Sequence, residues 1–352
     1  MSDKPPIPWY FTDLFLGLVA LAVGVFCGWW GQNRWPMAVS LTLCLVLVIL
    51  GFALLLRQRE RHQRPAMKPA LPEPEEFSDE VIQAAERFAQ LTEMTCIQLK
   101  PVRRPTSVFD SKFGGTPYLP PGFQYPVNEN PAGRHQPLKL LAQLNFATLP
   151  HVDWWPQQRF PDAGILQFYI TNQEDDDMFG ADFDDPTNQK AFRVVYHANV
   201  IDDVAQLQAP PAIPGDSEGY FPFEGEFGLD ATVAKMPITP QDFRFEAMFK
   251  DLFKNAVPAD RLDQLADKVL EYREENSESA GHRIGGYPYF TQEDPRGSQF
   301  TQMLLQIDSD MSGSADEIIW GDVGVANFFV PGPVDSSAPF DVSTVMYTWD
   351  CS

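Results

Sequence analysis

A short sequence motif occurs twice in this chain, and this repeat is the feature that most restricts the fold. The stretch KFGGTPYL begins at Lys112, and RIGGYPYF begins at Arg283. Downstream, LAQLN corresponds to LLQID, and GILQFYI then corresponds to GVANFFV. Because the three matches keep their order, we predict an internal duplication over about residues 111–170 and 282–330.

Each copy contains a Gly-Gly turn, a strand that ends in Gln-apolar-Asn/Asp, and an aromatic strand. Glycine adopts positive φ without strain, and the Pro-Tyr that follows stiffens the exit from the turn. Two such copies can pair about a pseudo-two-fold axis. The turns are then either purely structural or part of a ligand groove between the halves. For the groove, the candidate ligand-binding residues are Gly114, Gly115, Arg283, Gly285, Gly286, Tyr287 and Trp320.

The remaining patterns in residues 77–352 predict helices and short strands. Helical periodicity occurs over about 78–95, 240–256 and 258–276. Strands are predicted at 138–146, 163–171, 191–200, 300–308, 317–322, 323–330 and 342–349. This order favours an α+β domain with mostly antiparallel sheets, built from the duplicated strand unit and flanked by helices.

Two apolar runs precede this domain, at residues 14–30 and 37–56, and neither contains a charged residue. A helix needs roughly 20 apolar residues to cross the hydrocarbon core, with about 17 as the lower limit. The runs therefore predict two transmembrane helices joined as a hairpin within residues 1–56. Ala20, Gly24 and Gly28 recur every four residues on the first run. This spacing suits packing of the first helix against the second. The alternative is that the same three residues form a homodimer interface.

The charged residues around the hairpin predict its orientation. The segment 57–76 is a Pro-rich tether that begins with Arg57, Arg59, Arg61 and Arg64, whereas the loop between the runs contains only Arg34. Because positive residues accumulate on the cytoplasmic side, we predict a multi-pass protein of the inner or plasma membrane. Both termini and the large domain are then cytoplasmic.

Composition excludes several classes of function. The chain carries a net charge of −22, and the first 70 residues hold seven Lys/Arg against three Asp/Glu, which leaves −26 on the remainder. Such a domain repels phosphate backbones, so no nucleic-acid partner is expected. The four cysteines form no CxxC pair, which argues against a disulfide framework or a structural zinc site.

The repeated motifs resemble the YwqG-like family, a bacterial domain of unknown function. The resemblance covers roughly residues 78–352 and rests on KFGGTPYLP, PLKLLAQLNF, GILQFYI, GHRIGGYPYF, LLQIDSD, IIWGDVGVANFFV and YTWDC. It implies an α+β fold with duplicated strand units and brings no established activity. Members are often soluble, so the hairpin is a departure. Some members lie in toxin–immunity neighbourhoods, which suggests an interaction role.

An acidic stretch supplies the candidate metal ligands Asp308, Asp310, Asp316 and Asp322. Its start imitates a calcium loop, but the twelfth position is Ile319, where a bidentate Glu belongs. An irregular Ca²⁺ or Mg²⁺ site and a β-turn with exposed carboxylates are the two interpretations. If the groove instead binds an anion, the residues to test are His282, Arg283 and Tyr287.

No catalytic constellation is recognisable in the sequence, and we expect no cofactor beyond that Ca²⁺ or Mg²⁺. The preferred hypothesis is therefore a membrane-anchored cytoplasmic binding or interaction module with a protein partner. The alternative is a metal-dependent enzyme that uses the acidic cluster from Asp308 to Asp322.

Overall fold

The fold was analysed in a computed structural model, which describes residues 77–130, 135–152, 160–173, 178–213, 215, 221–311, 317–332 and 340–352. The apolar runs at 14–30 and 37–56, with Ala20, Gly24 and Gly28, lie outside the described residues, as does Asp316. Within the described ranges, no helix combines the length and apolar character that a membrane crossing requires.

One sheet of ten strands organises the described part of the chain, and every neighbouring pair is antiparallel. The strands are β1 (Met94–Val102), β2 (Lys112–Gly114), β3 (Lys139–Asn145), β4 (Ile165–Ile170), β5 (Phe192–His197), β6 (Glu226–Met236), β7 (His282–Ile284), β8 (Gln302–Asp308), β9 (Val325–Val330) and β10 (Met346–Asp350). The predicted antiparallel pairing is confirmed. The strands form a single sheet rather than several, and they dominate the fold more than the α+β prediction implied.

The strand order gives the two repeated segments equivalent positions. It runs β10-β9-β8-β7-β1-β6-β2-β3-β4-β5, with β1 and β6 paired at the centre. Strands β2 to β5 extend outward from β6, and β7 to β10 extend outward from β1. The register even shifts at the same place in both halves, between Leu140 and Ala142 in β3 and between Met303 and Leu305 in β8.

Each half turns sharply at its Gly-Gly pair. Gly114 and Gly115 have φ of 66° and 72°, and Gly285 and Gly286 have φ of 69° and 79°. Residues with a Cβ rarely adopt these values. At Gly114 there is also no room, because a Cβ would lie 2.5 Å from the carbonyl oxygen of Gly225.

The main core lies between the two outer parts of the sheet, which face each other. The rings of Phe168 on β4 and Phe328 on β9 have centroids 4.8 Å apart. Phe328 also stacks on Tyr347 of β10 at 4.4 Å, and Tyr347 contacts Phe192 of β5 at 5.0 Å. Phe168 and Phe328 hold equivalent places in GILQFYI and GVANFFV, so this contact joins the two halves at matching positions.

Three helices in the described ranges form a second core: α1 (Asp79–Leu91), α2 (Phe245–Phe253) and α3 (Ala259–Asn276). The Ser78 hydroxyl caps α1 by accepting from the backbone amide of Val81 at 3.4 Å. Phe88 of α1 packs edge-on against Phe245 and Phe249 of α2, with centroids 4.9 and 5.2 Å away. The predicted extension of α1 to residue 95 is wrong, because β1 already begins at Met94.

The strand predicted at 317–322 is also wrong. Ile318 forms one isolated bridge with Asp310, and the chain then turns through Gly321 and Val323, whose φ values are 55° and 59°. Trp320 lies in this segment and is fully buried in the main core.

Candidate functional site

A cleft of about 710 Å³ lies where the end of α3, the start of β7 and the end of β8 meet. Four carboxylates line it, from Glu274, Glu278, Asp308 and Asp310, together with His282. The described residues of the lining include neither lysine nor arginine. The cleft is therefore acidic, and it lies beside the second Gly-Gly turn.

The two halves build their turns with the same hydrogen bonds. In the first half, the backbone amide of Tyr118 donates to Oε1 of Gln143 at 2.9 Å. In the second half, the amide of Tyr289 donates to Oε1 of Gln306 at 2.8 Å. This glutamine is buried and occupies the same position in LAQLN and LLQID. It serves the fold in both halves.

A buried amide and a buried cation complete this shared network. The side-chain amides of Gln167 and Asn327 donate to the carbonyl oxygens of the equivalent tyrosines, at 2.8 and 2.9 Å. Lys112 and Arg283 each donate to the carbonyl oxygen of the residue four positions on. Burial lowers the pKa of Lys112 to about 8 and that of Arg283 to about 10.

The halves differ where the cleft opens. In the first half, the backbone amide of Asn145 donates to the Ser111 hydroxyl at 2.9 Å. In the second half, the amide of Asp308 donates to Nδ1 of His282 at 3.1 Å. An uncharged pair thus satisfies the backbone in one half, and an ionisable pair does so in the other. The same motif alignment places Asp310 where the first half has alanine.

His282 is directed toward the cleft wall by this hydrogen bond. Because Nδ1 accepts, the neutral ring carries its hydrogen on Nε2. Nε2 lies 3.7 Å from Oδ2 of Asp310, and it is buried without a hydrogen-bond partner. The side chain is 4% exposed, whereas that of Asp310 is 29% exposed. The histidine thus stands behind Asp310, which faces the opening.

Asp308 forms the floor of the cleft. Its Oδ2 accepts from the backbone amide of Gly281 at 2.5 Å, and its Oδ1 accepts from the amide of Ser309 at 2.8 Å. Burial raises the pKa of Asp308, although these hydrogen bonds and the nearby Arg283 oppose the rise. Tyr289 is half-buried beside it, and burial together with the charge of Asp308 raises the pKa of its phenol. A cation entering the cleft would favour the ionised Asp308 carboxylate.

Two more buried polar atoms in the cleft lining have no hydrogen-bond partner, the Oε1 of Gln241 and the Oγ of Ser277. Buried polar atoms are normally satisfied, so unsatisfied ones in one cleft point to a bound group. An amide oxygen accepts only, and a hydroxyl can accept. Together with the carboxylates, they make a site that suits a ligand rich in hydrogen-bond donors.

The predicted metal ligands are brought together only in part. Asp308 and Asp310 share the cleft, whereas Asp322 is exposed in the turn before β9, where its carbonyl oxygen accepts from the amide of Ser352. Asp316 lies outside the described residues. In the part of the chain that the structure describes, no group of three or more His, Cys, Asp or Glu is placed to hold a metal ion. The Ca²⁺ or Mg²⁺ site stays a prediction.

The predicted ligand-binding residues lie mostly away from the cleft. Arg283 is beneath it and donates to the carbonyl oxygens of Ser279 and Ala280, which form its wall. Tyr287 packs in the helical core and donates to the carbonyl oxygen of Thr92 at 2.9 Å. Trp320 is in the main core, and Gly114 and Gly115 belong to the turn of the first half.

Sequence reasoning missed the helical contribution to the cleft. Gln241 was not a candidate. Glu274, Ser277 and Glu278 were not candidates either, because the stretch EENSES reads as an ordinary solvated helix end. Its only signal was a concentration of carboxylates a few residues before the second Gly-Gly motif.

Comparison with known families identifies the domain. The profile of a family described as Domain of unknown function (DUF1963) matches residues 111–351, about two thirds of the chain. The chain belongs to the DUF1963 family. The DUF1963 match includes both repeated segments and every cleft residue discussed above. No curated protein shows a significant match to the chain. The finer resemblance to YwqG-like proteins stays a prediction.

Proposed function

We propose that this DUF1963 protein is a binding module whose cleft holds a cationic group, an ammonium or a guanidinium, of its partner. One observation carries the proposal. In the first half, the backbone amide of Asn145 donates to the Ser111 hydroxyl, whereas in the second half the amide of Asp308 donates to the His282 ring. The second half also adds Asp310. The fold itself needs no charge here, so the ionisable residues are best explained by a ligand.

The chemistry of the lining supports a cation. Charge-assisted hydrogen bonds between carboxylates and ammonium or guanidinium groups are about twice as strong as neutral ones. Asp310 can accept such bonds, and Glu274 and Glu278 also line the cleft. The acidic domain around the cleft adds a long-range field that attracts basic partners.

The arrangement of His282 favours binding over acid–base catalysis. A general base needs a ring nitrogen with a free lone pair. Nδ1 of His282 already accepts from the amide of Asp308, and Nε2 carries the hydrogen that faces Asp310. The histidine therefore lies beside Asp310 without a lone pair that could take a proton from a substrate.

We also propose that residues 1–56 anchor this module to the inner or plasma membrane, with residues 57–76 as tether and the domain in the cytoplasm. The uncharged runs at 14–30 and 37–56, and the arginines after them, support this. Alkaline phosphatase fused after Ser352 should be inactive, whereas a fusion after Gln32, between the runs, should be active. Activity of the Ser352 fusion would contradict the orientation.

Titration calorimetry of the full-length protein in detergent tests the cleft. N-acetyl-arginine amide should bind, and N-acetyl-citrulline amide, which has the same shape without the charge, should not. Asp310→Asn should weaken binding at least about tenfold, because a charge-assisted hydrogen bond is lost. Asp322→Asn removes an equal charge outside the cleft and should have little effect. Equal binding of both compounds, no binding of either, or an equal effect of both variants would overturn the proposal.

A further inference from the structure

We infer that the cationic group belongs to a basic polypeptide, which lies along α3 and inserts one arginine or lysine side chain into the cleft. This inference rests on the proposed function and names the class of partner. It follows from an acidic stripe on α3 that ends in the cleft.

The stripe consists of carboxylates spaced three or four residues apart, which places them on one face of the helix. Its members are Asp260, Asp263, Asp267, Glu271 and Glu274. The buried residues of α3 are Leu265, Ala266 and Val269, on the opposite face. The stripe is therefore directed to solvent along the full length of the helix.

Local ion pairs leave the stripe available to a partner. Lys250 pairs with Asp263 at 2.8 Å, and Lys268 pairs with Glu271 at 2.8 Å. The Asp263 side chain is 78% exposed and that of Glu271 is 43% exposed. Exposed pairs of this kind contribute little, so the basic residues of a partner can replace them.

The stripe is continuous with the cleft. Glu274 belongs to both, and Glu278 lies just beyond the C-cap Ser277 on the cleft wall. From Asp260 to Glu274 the helix rises about 21 Å, which matches about six residues of an extended peptide. A single small amine would contact the cleft alone and leave the stripe unused.

The cleft itself provides the anchor for one side chain. The Oε1 of Gln241 and the Oγ of Ser277 are buried in its lining without a hydrogen-bond partner, and both can accept from a cationic group. This feature is independent of the stripe and points to a ligand by itself. An anchored side chain at one end and a row of carboxylates along α3 together fit a basic peptide.

Fluorescence anisotropy of the full-length protein in detergent tests this inference. The probe is a labelled 15-residue peptide of alternating alanine and arginine, and the control peptide has citrulline in place of arginine. The stripe variant is Asp263→Asn/Asp267→Asn/Glu271→Gln. A matched variant removes three exposed carboxylates elsewhere: Glu86→Gln/Asp203→Asn/Asp322→Asn.

We expect the stripe variant to weaken the arginine peptide about tenfold at low salt and to leave N-acetyl-arginine amide binding unchanged. The matched variant should change peptide affinity less than about threefold. If the stripe variant binds the peptide like wild type while Asp310→Asn binds it weakly, the inference fails and the cleft takes a small cation such as a polyamine. If Asp310→Asn also has no effect, the proposed function fails with it.

Discussion

His282 occupies the place in the second half that Ser111 occupies in the first, and both side chains accept a hydrogen bond from the backbone amide of the residue that ends the next strand. The distances are 3.1 Å to Asp308 and 2.9 Å to Asn145. A serine therefore suffices for the fold at this position. The histidine and its two aspartates are an addition that only the second half carries.

Lys112 should make stability rise with pH above 8. Burial lowers its pKa to about 8 in the folded state, whereas the unfolded chain keeps the proton to about 10.5. Between these values the unfolded state binds more protons, so the free energy of unfolding increases with pH, by roughly 2 kcal/mol at pH 9.5. Chemical denaturation at pH 8 and 9.5 measures this rise.

Lys112→Met is the control for that experiment. It removes the titrating amine and leaves the carbonyl oxygens of Ser107 and Thr116 without this donor. The variant should be less stable overall, and its stability should lack the rise that Lys112 contributes. Parallel slopes for wild type and variant would show that Lys112 does not titrate in this range.

Arg296 should be among the most costly side chains to truncate. It is fully buried and pairs with Asp242 at 3.0 Å and with Asp294 at 2.5 Å. Burial alone would raise the pKa of Asp242, but its cationic partners lower it. Arg296→Met leaves Asp294 without this ion pair and Asp242 with Arg244 alone, and it should lower the free energy of unfolding by about 3–5 kcal/mol.

An exposed pair provides the comparison for Arg296. Arg104 contacts Asp230 at 2.7 Å, and their side chains are 43% and 57% exposed. Arg104→Met should cost no more than about 1 kcal/mol, because solvent screens such pairs. Denaturation curves with equal losses for both variants would contradict the importance assigned to burial.

The first Gly-Gly turn should tolerate alanine poorly. Gly114 and Gly122 both have positive φ, 66° and 78°, so alanine is strained at either position by about 1–2 kcal/mol. Only at Gly114 does the new Cβ collide with the backbone, 2.5 Å from the carbonyl oxygen of Gly225, whereas Gly122 has open space. Gly114→Ala should therefore lower the free energy of unfolding by about 1–3 kcal/mol more than Gly122→Ala does. Similar midpoints of thermal unfolding for the two would argue against a tight turn.

The sequence predicted the outer strands better than the central ones. Strands β3, β4, β8 and β9 are nearly continuous buried runs, which is a strong local signal. Strands β1 and β6 were missed, because many of their residues are exposed or half-buried and β1 includes Pro101. The paired residues of these two strands are 126 to 142 positions apart in the sequence, and local patterns carry no information about such pairing.

The candidate site was predictable in its parts and not in its assembly. Asp308, Asp310 and His282 drew attention as separate features of two motifs. They meet because β7 pairs with β8, where Arg283 faces Gln306. The walls from Glu274 and Glu278 depend on where α3 ends relative to that pair. Neither fact follows from residue type or spacing.

The most direct test copies the first half into the second. The variant His282→Ser/Asp308→Asn/Asp310→Ala gives the cleft the residues that Ser111, Asn145 and Ala147 provide at the equivalent positions. Calorimetric titration of this full-length variant with N-acetyl-arginine amide, beside its thermal unfolding, is the measurement to make. The account predicts a folded protein whose midpoint changes little and whose binding is lost. A variant that unfolds, or one that folds and binds as tightly as wild type, would contradict it.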